Sequence, residues 1–201
     1  MPPERQHLAI RILHWLIASL VLAALFMSTV VMPLIPEASP EKLTALFRHM
    51  STGGLIALFV SLRLVLRPNV KRPVPLSSGM PWADRLASIT HPFLDVLVVV
   101  MLASGIGMAI LSGLPAIVFG GHGSLPVRLD TLPLHAIHSF TAKVLIATLG
   151  LHISGALYHQ FFLRDGLLSR MGLGRYKMIE RTDDDNCFPE KERYQNNSAR
   201  L

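Results

Sequence analysis

Residues 134–163 read LHAIHSFTAKVLIATLGLHISGALYHQFFL, a stretch with one lysine and no acid. As a helix it would reach about 45 Å at 1.5 Å per residue, more than the roughly 30 Å of a bilayer's hydrocarbon core. Backbone polar groups in lipid must be satisfied within the segment, so this block predicts a transmembrane helix. Two of its histidines, His138 and His152, are spaced so that they lie about 21 Å apart along the axis and within roughly 40° of one face.

Three further apolar blocks precede it, at about 8–32, 43–66 and 86–111. The first is too long for the apolar region of a cleaved signal peptide, about 7–15 residues, and is expected to stay in the mature protein. Pro33, Pro36 and Pro40 break the chain after the first block, and Pro68, Pro73, Pro75 and Pro81 after the second. The Gly- and Pro-rich segment 112–133 joins the third to the fourth. Over all 201 residues, 51% are hydrophobic and 16% charged, against about 25% charged in a soluble domain. The expectation is an all-α membrane protein, a four-transmembrane-helix bundle over 1–178, with a polar and disordered cytoplasmic tail at 179–201.

Net charge +6 and a pI near 10.0 invite a nucleic-acid reading, but no basic stripe interleaved with aromatics is present, so no nucleic-acid partner is expected. The positive charge is read as topology. With four spans, fifteen of the nineteen Lys and Arg fall on one side, including Arg5, Arg11, Arg63, Arg67, Lys71, Arg72 and Arg85. The positive-inside rule then puts both termini in the cytoplasm, in a bacterial inner membrane, with Lys42 and Arg128 on outward connections.

Polar residues inside spans mark functional positions by default. His14, His49, His91, His138, His152 and His159 qualify. Alternating helix direction sets their depths: His14 shares the inner level with His152, and His49 shares the outer level with His138. The single Cys187 excludes a disulfide framework, a cysteine zinc site and a covalently attached haem. Facing imidazole pairs suit bis-histidine ligation of non-covalent haem b. A zinc ion would need three or four ligands at one point, and these are divided between two levels. Gly53, Gly54 and Gly155 follow His49 and His152 within one turn. They either make room for a flat macrocycle or let helices pack closely.

Together, His14-Trp15, RHMSTGG at 48–54, His138 and LHISGALYHQFFLRDG at 151–166 resemble the bacterial cytochrome b561 family, over about residues 6–171. The resemblance implies two haem b groups and electron exchange with ubiquinone or another membrane quinone, and some members are described as superoxide oxidases. It implies His14, His49, His138 and His152 as axial iron ligands. Gln160 stands where relatives often carry a second histidine after the equivalent of His159.

Donor and acceptor sites are expected beside each haem. Arg48 and Lys143 are candidates for contact with an outer propionate or an anionic substrate, with His122 and Arg128 as minor steering groups. Arg11 is a candidate inner propionate partner. His91 and His159, with Asp95 near the start of the third helix, are candidates for quinone binding and proton relay, and Arg63 and Arg67 are read as orientation charges at lipid headgroups. The leading function is oxidation of superoxide, or another one-electron donor, with reduction of ubiquinone. The alternatives are a cytochrome subunit serving a partner dehydrogenase or hydrogenase, and a non-redox transporter or scaffold.

Overall fold

The structure, a computed structural model, describes residues 7–36, 39–70, 80–121, 129–163 and 171–172. The polar tail at 179–201, the basic residues Arg5, Lys71 and Arg72, and His122 and Arg128 lie outside the described residues. Four helical segments are long and apolar enough to cross a membrane: Leu8–Leu34, Pro40–Asn69, Pro81–Leu111 and Pro133–Leu163. The protein is an all-α, multi-pass membrane protein, and no strand occurs among the described residues.

Helix α1 is Leu8–Phe26 and continues as a π-turn over Met27–Val31; α2 is Pro40–Leu66; α3 is Pro81–Leu111; α4 is the short Leu114–Val118; α5 is Pro133–Tyr158, continuing as a π-turn over His159–Leu163. The expected spans recur, with one informative shift. Pro40, Pro81 and Pro133 do not merely separate the blocks. Each is the first residue of its helix, because proline presets a helical φ and its missing N–H is not needed in the first turn. The third span therefore starts at Pro81, ahead of the expected 86, and His91 lies three turns inside it rather than at its opening.

Pro92 falls within α3 and leaves the carbonyl of Ser88 without its usual donor. In the same turn the side chains of Thr90 and His91 donate back to the carbonyls of Leu86 and Ala87, at 2.8 and 2.7 Å. Beyond α3, Gly113 takes a left-handed conformation (φ 67°) and turns the chain into α4.

The helices pack as two antiparallel hairpins, α1 against α2 and α3 against α5, with sparser backbone contact between them. One end of the bundle holds the start of α1, the α2–α3 connection and the end of α5, and is called here the terminal end. The other is the loop end. Midway between the two ends, Val21, Leu25, Ile56, Leu97 and Leu145 form the buried apolar cluster that closes the seam between hairpins. Lipid chains are as apolar as leucine, so van der Waals packing rather than water exclusion holds this layer together.

Candidate functional site

On three helices the central apolar residue has a polar residue seven positions away on either side. Val21 stands between His14 and Ser28, Ile56 between His49 and Arg63, and Leu145 between His138 and His152. Seven residues are about 10.5 Å and nearly two full turns, so each helix shows the seam a polar group, an apolar one and a second polar group in succession. Two polar levels about 21 Å apart are the outcome.

At the loop-end level, the rings of His49 and His138 have centroids 6.2 Å apart. At the terminal-end level, His14 and His152 are 6.5 Å apart. Both pairs span the seam between hairpins, and they are the pairs expected from depth. Two imidazole nitrogens bound to one metal from opposite sides, at about 2.0–2.1 Å each, put the ring centroids about 6.3 Å apart. Both pairs match that spacing. His91 lies closer to His152, at 5.1 Å, too short for the two rings to bind one metal from opposite sides. Among the described residues, no group of three or more His, Cys, Asp or Glu side chains is arranged to hold a metal ion.

Hydrogen bonding identifies the free nitrogen of His138. Ser104 Oγ lies 2.8 Å from the carbonyl of Val100 and 3.1 Å from His138 Nδ1. With the hydroxyl donating to that carbonyl it accepts from Nδ1–H, the tautomer that leaves the Nε2 lone pair for a metal. The same logic applies to His91, whose Nδ1 faces a carbonyl oxygen and must donate. His49 Nδ1 is buried without a hydrogen-bond partner among the described residues. Ser104→Ala should weaken metal-group retention at the loop-end level about 10- to 100-fold, the usual effect of losing a group that orients a ligand. Competitive haem extraction, followed separately at the two levels, checks this.

The glycines divide by role. A Cβ at Gly53, Gly54 or Gly155 would meet no atom within 4 Å, so these do not serve close helix packing. Of the three, Gly53 lies one turn beyond His49 on the same face of α2, where it leaves room for a flat group. Gly105 and Gly107, which the sequence reading passed over, do serve packing. A Cβ at Gly105 would lie 3.1 Å from Cε1 of His138, and one at Gly107 would lie 2.8 Å from Leu134 Cδ1. Gly53→Leu should therefore fold normally yet lower the haem content at the loop-end level at least severalfold, as read by pyridine haemochrome assay.

The remaining expected site residues are more dispersed. Arg11 sits against Gly172, and its neighbour Trp15 donates from Nε1 to the carbonyl of Met171 at 3.0 Å. Met171 and Gly172 thus pack against the terminal end. Arg48 is exposed and lines an open pocket of about 200 Å³ with Met27, Val31, Glu41 and Thr44. Lys143 is exposed on a face of α5 about 140° away from His138, and so does not join the histidine pair. The ring of His159 lies edge-on to Tyr158 at 6.4 Å.

Arg63 and Arg67, read from sequence as headgroup-facing charges, turn instead toward α3. Both hold Asp95, with N–O distances of 2.6 and 2.7 Å. Asp95, expected to assist His91 in proton relay, is engaged by these two guanidiniums. The signal for Arg63 was present in the chain: it follows His49 by the same fourteen residues that separate His138 from His152.

The family model described as prokaryotic cytochrome b561 matches residues 5–174, from just before α1 to just beyond the segment packed under Arg11 and Trp15.

Proposed function

Because this chain belongs to the prokaryotic cytochrome b561 family, we propose that it carries two haem b groups and moves single electrons across the bilayer, from superoxide or a similar donor to ubiquinone. Membership makes it a membrane haem b protein of electron transfer. The observation that carries it is the pair of imidazole separations, 6.5 and 6.2 Å, at two levels along one seam.

His14 and His152 would hold one haem, and His49 and His138 the other. Haem supplies a one-electron iron couple whose potential its surroundings tune. The protein's own part is to present Nε2 of each ligand, with Ser104 fixing the orientation of His138. The apolar layer of Val21, Ile56, Leu97 and Leu145 keeps water from the space between the levels. Positive-inside orientation puts the terminal end in the cytoplasm, so the loop-end pair would face the donor. Lys143 and Arg48, both exposed near that end, would attract an anion.

Reducing a quinone to the quinol takes two electrons and two protons, and two superoxide anions would supply the electrons while becoming dioxygen. Protons would come from groups such as His91. With Nδ1 donating to Ala87, its Nε2 is the atom able to take up and release a proton. His159, about two helical turns beyond His152, is a second candidate for a quinone oxygen.

The test has two parts. Purified protein should show a b-type band in its reduced-minus-oxidised spectrum, and a protein without that band ends the haem reading. Mixed with superoxide and a soluble ubiquinone, it should speed quinone reduction above the uncatalysed rate. An unchanged rate ends the superoxide reading and leaves the cytochrome intact.

A further inference from the structure

We infer that Arg63, positioned by Asp95, binds a propionate carboxylate of the haem at the terminal-end level, an inference that rests on the two-haem reading above. Four observations support it. First, fourteen residues after His49 returns α2 to nearly the same face, so Arg63 reaches the seam at the depth of His14 and His152. Arg63, Asp95 and His91 all lie within electrostatic reach of His14.

Second, the charges do not cancel. Arg63 and Arg67 each spend one nitrogen on a different oxygen of Asp95. Two cations facing one anion leave a net positive charge, and Arg11 near the same end adds to it.

Third, Arg63 Nε is buried and has no hydrogen-bond partner among the described residues, and the same is true of Arg11 Nε. A buried N–H without an acceptor is a costly exception in a folded protein, and a charged one more so. An anionic oxygen acceptor satisfies both the unmet donor and the unbalanced charge. Guanidinium is suited to this task, since its planar fork can grip one carboxylate at one edge while binding a second at another.

Fourth, the loop-end level differs. There the seam positions equivalent in depth are Ser28 and Gly105, neither charged, and the nearby cations Arg48 and Lys143 are exposed rather than buried. The two levels thus differ in local charge, and the cationic one favours the reduced, more negative state of whatever couple it holds.

Phosphate from a lipid headgroup has the same acceptor chemistry. The burial of Nε, and the place of Arg63 on the face of α2 that carries His49, favour the carboxylate. Asp95 acts as a positioning residue: held by two arginines from α2, it ties the guanidinium of Arg63 to α3 and so to the far hairpin.

The experiment uses full-length holoprotein and three test substitutions, Arg63→Gln, Arg63→Lys and Asp95→Asn, with His14→Ala and His49→Ala to assign the two levels. Haem stoichiometry is read by pyridine haemochrome, potentials by redox titration, and carboxylate contacts by the propionate bending band in resonance Raman spectra. His14→Ala identifies the titration component that belongs to the terminal-end level.

Arg63→Gln should keep two haems, shift the propionate band and lower that component's midpoint. The expected change is about tenfold in the oxidised-to-reduced equilibrium, which for one electron is about 59 mV. Arg63→Lys should shift the band while largely preserving the midpoint, because the charge stays and the fork does not. Asp95→Asn should move the same midpoint upward. An unchanged band and unchanged midpoints in Arg63→Gln would overturn the proposal, and loss of bound phospholipid alongside would assign the guanidinium to lipid instead. A change confined to the component that His49→Ala removes would overturn it as well. If Arg63→Gln fails to fold, an unchanged band in Arg63→Lys has the same force. The two-haem reading fails separately, if the unsubstituted protein holds fewer than two haems or His14→Ala loses none.

Discussion

His152→Ala protein should be purified with about half the haem of the parent, and the haem it keeps should be the one at the loop-end level. If each haem is held by two imidazoles, removing one leaves neither the bond nor a nearby replacement in the right place. His91 is the nearest imidazole, but its ring centroid already lies only 5.1 Å from that of His152, with Nδ1 tied to Ala87. It is poorly placed to take over the position. His14→Ala should have the same effect, while His49→Ala and His138→Ala should empty the other level. Sites about 21 Å apart with an apolar layer between them share no side-chain partners, and effects at such distances are usually independent. His91→Ala should keep both haems. Pyridine haemochrome quantification across the five variants is decisive: loss of both haems from single-ligand variants, or of one haem from His91→Ala, would refute the assignment of pairs.

Gly105→Val should also cost the loop-end haem, without touching a ligand. Even a single added carbon at Gly105 would lie 3.1 Å from Cε1 and 3.4 Å from Nδ1 of His138. Valine's two further methyl groups crowd the ring from the α3 side. Both α3 and α5 are long helices packed closely together, so neither backbone gives way easily. Overpacking of this kind costs about 1–3 kcal/mol, and here the strain is relieved by swinging His138 away from Ser104 and out of line with His49. We expect half the haem content and a lowered thermal midpoint for the holoprotein. Gly107→Ala is the matched control. Its added carbon meets only the flexible tip of Leu134, at 2.8 Å, and a small rotamer change accommodates it. If Gly105→Val retained both haems with unchanged spectra, the close approach of α3 to His138 would have no part in holding the ligand.

These two predictions draw on different layers of information. The ligand candidates were legible in the chain because helical rise is constant and spans alternate direction, so sequence position converts directly into depth. His14 with His152 and His49 with His138 follow from that conversion. The Gly105 effect was not legible in that way. Whether a glycine faces a neighbouring helix, a cradle or lipid depends on how each helix is rotated about its axis, and that rotation is set by partners far along the chain. Gly53 and Gly105 look alike in sequence, yet one faces open space and the other the edge of an imidazole.

Charge shows the same division. Counting Lys and Arg on each side of four spans yields an expected orientation, since that count needs no contacts. It says nothing of where an individual guanidinium points. Arg63 and Arg67 were grouped with the headgroup-facing cations, but in the folded chain both turn to Asp95, thirty-two and twenty-eight residues away. Lys143 moved the opposite way, from a candidate near the haem to the exposed face of α5.

From composition and spacing alone follow the four spans, their alternating direction and the two depths at which histidines face one another. Those are one-dimensional properties, fixed by the rise of a helix and the thickness of a bilayer. The folded chain was needed to show that the seam runs between an α1–α2 hairpin and an α3–α5 hairpin, that Ser104 orients His138, and that Arg63 and Asp95 meet beside His14 and His152. Each of these depends on the rotation and lateral neighbours of helices whose packing in lipid is decided by side-chain fit, and no local stretch of sequence carries that information.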